Sequence, residues 1–261
     1  MKFHVSASIT DFPLISSLET FFREFRHAGV DSAELVIGIK SRFRLDYIKE
    51  LSQQYSLPIT SIHQPQWTGT PFFFEEGFIK EAKKLGVTQI VFHPLILCSF
   101  TNPQMTAYFQ RLSTLQETYD IQVLLENMPF DRAYAKLFNE KKDIHDHLGQ
   151  LLNIVKTYNF KITFDTSHAG FTQPFSQKSF VDLFPYIGEF HLSSFHNKKD
   201  HLPLTMGNFD SKSFVQELIE RNYLGILNLE VYYPKLISVI EQFDFSAVAA
   251  SIRVLRELSD K

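Results

Sequence analysis

The sequence predicts a single α/β domain over residues 1–261, folded as a (β/α)8 barrel. Short β-branched or apolar runs alternate with longer stretches in which apolar residues recur at i, i+3 and i+4, and the pattern repeats eight times. No low-complexity linker interrupts it, and this length is usual for a one-domain barrel. An open, doubly wound sheet has the same local pattern, but eight repeats favour closure into a barrel.

The elements follow one another in the order strand then helix, which is typical of parallel strands. We predict strands at Lys2–Ser8, Ser32–Ile37, Pro58–His63, Thr88–His93, Ile121–Glu126, Lys161–Asp165, Glu189–Ser193 and Ile226–Val231. We predict helices at Leu14–Ala28, Phe43–Tyr55, Phe74–Leu85, Gln104–Tyr119, Lys142–Tyr158, Ser176–Phe184, Ser211–Asn222 and Ser246–Leu258. Gly29, Gly86 and Gly225 each lie between a helix and the next strand, where a residue with positive φ commonly ends a helix.

The composition is that of an ordinary globular protein, with 44% hydrophobic and 21% charged residues. A net charge of -3 gives no overall attraction for nucleic acid or an anionic membrane. Cys98 is the single cysteine, so an internal disulfide is excluded. The first twenty residues lack the pattern of a signal peptide, and no apolar run approaches the roughly 18 residues that span a bilayer. We therefore predict a cytoplasmic protein without a membrane partner.

A histidine, an aspartate or a glutamate ends each of six successive predicted strands, from the third to the eighth. These residues are His63, His93, Glu126, Asp165, His191 and Glu230. The active site of such a barrel lies at the C-terminal ends of its strands, and buried carboxylates there need a positive charge to offset desolvation and repulsion. Imidazole with carboxylate suits zinc, manganese, cobalt or iron, whereas an oxygen-rich subset also suits magnesium. The pattern therefore predicts a divalent metal site, with Glu126, Asp165, His191 and Glu230 as its main ligands.

The remaining histidines near the strand ends have more than one interpretation. His63 and His93 suit either ligation or substrate contact, since four ligands are enough for one ion. His168, three residues after Asp165, and His201 either ligate a second ion or orient a substrate. Strand alternation also predicts that four residues point inward beneath the ligands and orient them, namely Ser61, Thr163, Glu189 and Asn228.

Three motifs in this order resemble the xylose isomerase-like barrel superfamily over essentially the whole chain. They are ENM after the fifth strand, DTSHA after the sixth, and H-x-P-x-x-x-G-x-x-D from His201 to Asp210. The superfamily includes sugar isomerases and epimerases and endonuclease IV-like apurinic-site nucleases. In the epimerase-like members, the resemblance implies one ion held by the residues matching Glu126, Asp165, His191 and Glu230, the two glutamates also serving as acid and base. In the nuclease-like members it implies three zinc ions, with His63, His93, His168 and His201 as added ligands.

One position departs from the nuclease pattern. That pattern has aspartate two residues before His201, where this chain has Lys199, and Asp200 is displaced by one residue. Because a cationic side chain cannot replace a carboxylate ligand, Asp200 reaches an ion only if the loop takes a different path. Thr205 also replaces a glycine of the usual motif.

The residues and the resemblance leave three functions open. The preferred one is a metal-dependent isomerase or epimerase of a sugar, sugar phosphate or keto acid, in which Glu126 and Glu230 transfer protons through an enediolate and His168 polarises an oxygen. Trp67 then forms an apolar wall, and Lys199 and His201 contact the substrate. The alternatives are a zinc-dependent nuclease and a non-catalytic metal-binding or sugar-binding barrel. We expect one to three divalent ions per chain and a carbohydrate partner, and the sequence is compatible with a homo-oligomer.

Overall fold

Eight parallel strands close into a barrel in the computed structural model, as the sequence predicts. The structure describes residues 2–10, 17–36, 44–63, 76–95, 100, 102–128, 147–172, 181–197, 199–231, 234–237 and 240–259. Its barrel strands are β1 (His4–Thr10), β2 (Ser32–Val36), β3 (Ile59–His63), β4 (Gln89–Phe92), β5 (Gln122–Glu126), β6 (Lys161–Asp165), β7 (Ile187–Leu192) and β10 (Ile226–Leu229). They pair in the order β1-β10-β7-β6-β5-β4-β3-β2, and β2 closes on β1.

Helices lie between the strands and cover the barrel. They are α1 (Leu18–Ala28), α2 (Leu45–Tyr55), α3 (Glu76–Lys84), α4 (Pro103–Tyr119), α5 (His147–Tyr158), α6 (Thr166–Thr172), α7 (Ser211–Glu220) and α8 (Phe245–Ser259). Two antiparallel hairpins, β8 (Ser194–His196) with β9 (Lys199–Leu202) and β11 (Pro234–Ile237) with β12 (Ile240–Phe243), follow β7 and β10. Within the described residues, no helix is both long and apolar enough to cross a membrane.

Phenylalanine fills much of the layer between the strands and the helices. Phe190 of β7 is fully buried, and its ring centroid lies 5.8 Å from that of Phe164 on β6 and 5.1 Å from that of Phe214 on α7. Burying one such ring contributes about 1.5 to 3 kcal/mol. Because side chains alternate along a strand, Glu189 and His191 point the other way, into the barrel. This alternation places the apolar side chains between the strands and the helices, and it places polar side chains inside the barrel.

Local signals explain where several helices begin and end. Ser17 accepts a hydrogen bond from the amide of Thr20 at the start of α1, and Asn102 caps α4 in the same way. Gly29 and Gly86 take the predicted positive φ, at 86° and 87°. The prediction for Gly225 is wrong, because Asn222 provides the positive φ after α7 instead, at 53°.

The predicted helix Ser176–Phe184 lies mostly outside the described residues. Residues 181–183 form a turn and Phe184–Tyr186 form a 3-10 helix, while residues 173–180 lie outside the described residues. The covering helix here is α6, which begins directly after Asp165. The Asp165 carboxylate accepts the amide of His168 at 2.6 Å, which satisfies a free N–H of the first helical turn. The DTSH segment therefore both ends β6 and begins α6.

Candidate metal centre

The C-terminal end of the barrel gathers the predicted ligands into one buried cluster. Oxygen or nitrogen atoms of His63, Glu126, His191 and Glu230 all lie within 4.8 Å of one another. The same limit joins Asp165 to Glu126 and His168, and also to His201 and Glu230. Glu126, Asp165, His191 and Glu230 are at most 1% exposed. Residues from five strand ends thus form overlapping groups of candidate ligands at one end of the barrel.

Each of the four main predicted ligands has a buried polar atom that makes no hydrogen bond within the described part of the chain, although two of these atoms, Nδ1 of His191 and Oε2 of Glu230, lie 2.7 Å apart as an ion pair. These atoms are Oε1 of Glu126, Oδ2 of Asp165, Nδ1 of His191 and Oε2 of Glu230. Buried polar atoms are nearly always paired, and leaving one unpaired costs about 1 to 3 kcal/mol. Three carboxylate oxygens and an imidazole nitrogen form a donor set that suits a divalent cation. The residues present therefore fit a divalent ion.

His63 and His93 share one oxygen of Glu126. Nε2 of His63 lies 2.8 Å and Nε2 of His93 lies 2.9 Å from Oε2 of Glu126. Burial favours the neutral form of His63, but its hydrogen bond to Glu126 and the nearby negative charges raise its pKa to about 9. Burial lowers the pKa of His93. Although burial acts to raise the pKa of Glu126, the three surrounding histidines hold it well below its usual range.

Helix α6 fixes Asp165 and His168 together. Oδ1 of Asp165 accepts from the amide of His168 and, at 2.8 Å, from the hydroxyl of Ser167, which leaves Oδ2 directed to the cluster. Nδ1 of His168 lies 2.9 Å from the carbonyl oxygen of Asn127 and 3.0 Å from Oε1 of Glu126. Burial opposes the charged form of His168, yet the charge of Asp165 and the contact with Glu126 raise its pKa to about 10.

Asp200 and His201 enter from the β8-β9 hairpin. His201 is buried and has a positive φ of 49°. Ligand atoms of His168, Asp200 and His201 lie within 4.8 Å of one another, with Oδ2 of Asp200 4.0 Å from Nε2 of His201. Asp200 thus lies near the two histidines, with a side chain that is 47% exposed. Lys199 is exposed, and Trp67 lies outside the described residues, so the substrate contacts stay predictions.

A second polar layer lies inside the barrel beneath the cluster. Ser61, Thr163, Glu189 and Asn228, which the sequence predicts to point inward, are fully buried. Glu34 of β2 belongs to the same layer and was missed from sequence. Its Oε1 lies 3.3 Å from Nε2 of His191. Glu34 stands in the middle of the strand SAELV, where a lone acid among buried residues is the signal that would have found it.

Charges in this layer raise the pKa of both His191 and Glu189, which favours the charged form of the histidine and the neutral form of the glutamate. Burial disfavours a charged His191, but Glu34 and Glu230 outweigh burial and raise its pKa well above the usual range. Burial, together with the charge of Glu34, raises the pKa of Glu189 well above the usual range. These directions favour the neutral form of the Glu189 carboxyl group and the charged form of the His191 ring between Glu34 and Glu230.

The closed barrel, and the buried histidines and carboxylates at the C-terminal ends of its strands, define the class of protein. The model of the family "Xylose isomerase-like TIM barrel" matches residues 22–258, and the chain belongs to that family. The uncharacterized protein MJ1188 of Methanocaldococcus jannaschii is 26% identical over 210 residues, which are 73% of each chain.

Two solved structures have the same fold. The 3-keto-D-glucoside 4-epimerase of E. coli superposes with a TM-score of 0.69 at 16% identity, covering 98% of this chain and 100% of its own. A D-tagatose 3-epimerase-like protein superposes with a TM-score of 0.65 at 20% identity, covering 98% and 97%. At these identities, the likeness shows the fold alone.

Proposed function

We propose that the protein is a divalent-metal-dependent isomerase or epimerase of a sugar, sugar phosphate or keto acid. The observation that carries the proposal is that buried ligand atoms of Glu126 and Glu230 lie within 4.8 Å of those of His63 and His191, and that each glutamate also lies within this distance of Asp165. Glu126 ends β5 and Glu230 follows β10, and β6 and β7 lie between these two strands in the barrel. The two glutamates would therefore approach a bound substrate from different directions. The two structural relatives, a 3-keto-D-glucoside 4-epimerase and a D-tagatose 3-epimerase-like protein, agree with a sugar as the substrate class.

Glu126, Asp165, His191 and Glu230 would hold the ion. When bound, a divalent ion supplies Lewis-acid polarisation of a carbonyl and an adjacent hydroxyl. One glutamate, as carboxylate, removes the proton from the carbon beside the carbonyl, and the electron pair of that bond moves to the oxygen, giving an enediolate. The other glutamate would return a proton to carbon after taking one up from the substrate hydroxyl or from solvent, because the surrounding histidines hold the pKa of both glutamates low. His168, with Nδ1 at the Asn127 carbonyl, presents its Nε2 to a substrate oxygen.

Solvent deuterium incorporation tests the proton transfer directly. A panel of ketoses and keto acids is incubated with the manganese-loaded protein in D2O, and label at carbon is followed by NMR or mass spectrometry. We expect incorporation by the wild-type protein and a loss of about 10²- to 10⁴-fold in Glu126→Gln, which keeps the shape of the side chain but removes the base. Absence of incorporation across the panel, with the ion bound, would contradict the proposal.

A zinc-dependent nuclease is the second candidate, and one specific observation favours it. Glu126 is shared by His63 and His93 on one side and by Asp165 and His168 on the other. Carboxylates shared between neighbouring ligand groups are typical of multinuclear sites that hydrolyse phosphodiesters. The group of His168, Asp200 and His201 would supply a third ion position.

Metal stoichiometry and strand cleavage separate the two candidates. Elemental analysis of protein purified without added metal is expected to give one or two manganese, cobalt or magnesium ions per chain for sugar chemistry. About three zinc ions per chain would favour the nuclease. Nicking of an abasic duplex that stops on addition of chelator would reverse the ranking, and the net charge of -3 argues against it.

A further inference from the structure

Glu34 is held inside the barrel by donors from three strands. Its carboxylate accepts from Oγ of Ser8 on β1 at 3.2 Å, from Oγ of Ser61 on β3 at 2.9 Å and from Nδ2 of Asn228 on β10 at 2.9 Å. An ionised carboxylate is an acceptor only, so three converging donors match it well. The side chain is 0% exposed, and its position is therefore fixed by the barrel itself.

The strand register brings this anchored carboxylate to His191. Ser8, Glu34 and Ser61 are partners across β1, β2 and β3, while Asn228 is the partner of His191 across β10 and β7. Oε1 of Glu34 lies 3.3 Å from Nε2 of His191, and Oε2 of Glu230 lies 2.7 Å from Nδ1 on the other side of the ring. One nitrogen thus faces the interior layer and the other faces the candidate metal centre.

We propose that Glu34 is a positioning residue that orients the His191 ring and keeps its proton on Nε2, so that the Nδ1 lone pair faces the ion. A histidine that ligates a metal almost always donates its other N–H to a carboxylate, a carbonyl or water, which fixes the tautomer and the ring orientation. The inference rests on the metal centre of the proposed function. It adds a carboxylate that touches neither ion nor substrate yet controls the affinity of the site.

Zinc affinity of the purified protein, measured by competition with a chromogenic chelator, tests this role. Glu34→Gln keeps the size of the side chain but removes the charge, and we expect zinc binding to weaken about 10- to 100-fold. Glu24→Gln is the control, since it makes the same change on helix α1, where Glu24 pairs with Arg23 at 2.9 Å outside the barrel. We expect a change below about threefold in this control, because it leaves the His191 partner intact.

Ser61→Ala keeps the Glu34 carboxylate and removes one of its three donors. We expect zinc binding to weaken about two- to fivefold, as one hydrogen bond in the anchor is lost. This variant decides the question if circular dichroism shows that Glu34→Gln does not fold, and unchanged affinity in it would then overturn the proposal. Unchanged affinity in folded Glu34→Gln overturns it directly.

Crystal structures of the metal-free wild-type and Glu34→Gln proteins separate this inference from the proposed function. If the wild-type protein binds no zinc, the metal centre fails as a proposal, and the orientation of the His191 ring still reports on Glu34. A ring that rotates or shifts away in Glu34→Gln supports the positioning role. A ring in the same place in both structures, with equal zinc affinity, rules that role out.

Discussion

His191 is the residue on which the charge balance of the metal-free centre depends most. Its ring lies between Glu34 and Glu230, at 3.3 Å and 2.7 Å, and all three side chains are at most 1% exposed. Removing one partner from a buried ionic group leaves uncompensated charge in a low-dielectric interior, which costs far more than an exposed pair is worth. The ring therefore stabilises the fold in addition to its proposed role as a ligand.

We expect His191→Ala to lower the free energy of unfolding of the metal-free protein by about 3 to 5 kcal/mol. His196→Ala is the control, because His196 is exposed and should change stability by less than about 0.5 kcal/mol. Urea denaturation followed by circular dichroism gives both values. Equal stability of the two variants would mean that His191 does not compensate the buried carboxylates.

Sequence reasoning works well for residues at strand ends, but it missed Glu34 within β2. His63, Glu126 and Asp165 end their strands in the structure as the pattern predicts, because a change from apolar to ionisable residues is visible in one dimension. Glu34 was missed because its role depends on Ser8, Ser61 and Asn228, which come together only through strand register. Contacts across the barrel leave no local trace in the sequence.

The β8-β9 hairpin carries Asp200 and His201 of the candidate metal centre. Gly207 packs closely against the backbone of this hairpin. Gly207 has a φ of +77°, and a Cβ there would lie 2.6 Å from the carbonyl oxygen of Phe195. Gly29 has a similar φ of +86°, but a Cβ there would meet no atom within 4 Å. The two glycines therefore separate the cost of backbone strain from the cost of a steric clash.

We expect Gly29→Ala to destabilise the protein by about 1 kcal/mol through positive φ alone. Gly207→Ala should cost more, by about 1 to 3 kcal/mol, because the backbone of the hairpin must also move. Thermal and urea denaturation measure both differences. A Gly207→Ala protein as stable as Gly29→Ala would show that the hairpin adapts without strain.

At the scale of elements, the strands were predicted more accurately than the connections. The eight barrel strands agree with prediction within two residues at each end, since their buried apolar runs are specific. Helix α6 was missed because the same residues that end β6 also cap the helix. The β8-β9 and β11-β12 hairpins have strands of three or four residues, too short for a period-2 pattern to be recognised.

For the whole molecule, the raised histidine pKa values make the stability of the metal-free protein depend on pH. The pKa of His63 is raised to about 9 and that of His168 to about 10 from 6.5. A raised folded-state pKa contributes stability that is complete below the unfolded value and is lost as pH rises through the folded value.

We therefore expect the metal-free protein to lose stability between about pH 6.5 and pH 10, by about 1.4 kcal/mol per pH unit for each proton released. The metal-loaded protein is the control, since the positive charge of a bound ion disfavours protonation of the nearby histidines and should give a flatter profile. Urea denaturation across this range tests the sign. A metal-free protein that becomes more stable over the same interval would contradict the assigned charges.

Ion binding should also stabilise the whole fold. With free manganese at 100 times its dissociation constant, linkage predicts about 2.7 kcal/mol of added stability, or a rise in Tm of about 5 to 10 °C for a domain of this size. Asp165→Asn should lose most of this shift, because the amide replaces the unpartnered Oδ2 while Oδ1 continues to cap α6. An equal shift in Asp165→Asn would place the ion elsewhere.

Anomalous scattering from crystals soaked in manganese tests the central claim most directly. The account predicts a peak at the manganese edge among Oε1 of Glu126, Oδ2 of Asp165, Nδ1 of His191 and Oε2 of Glu230, about 2.0 to 2.3 Å from each. The peak should disappear after soaking in chelator. Clear density for these four side chains with no anomalous peak between them, at saturating manganese, would contradict the metal centre and the chemistry proposed for it.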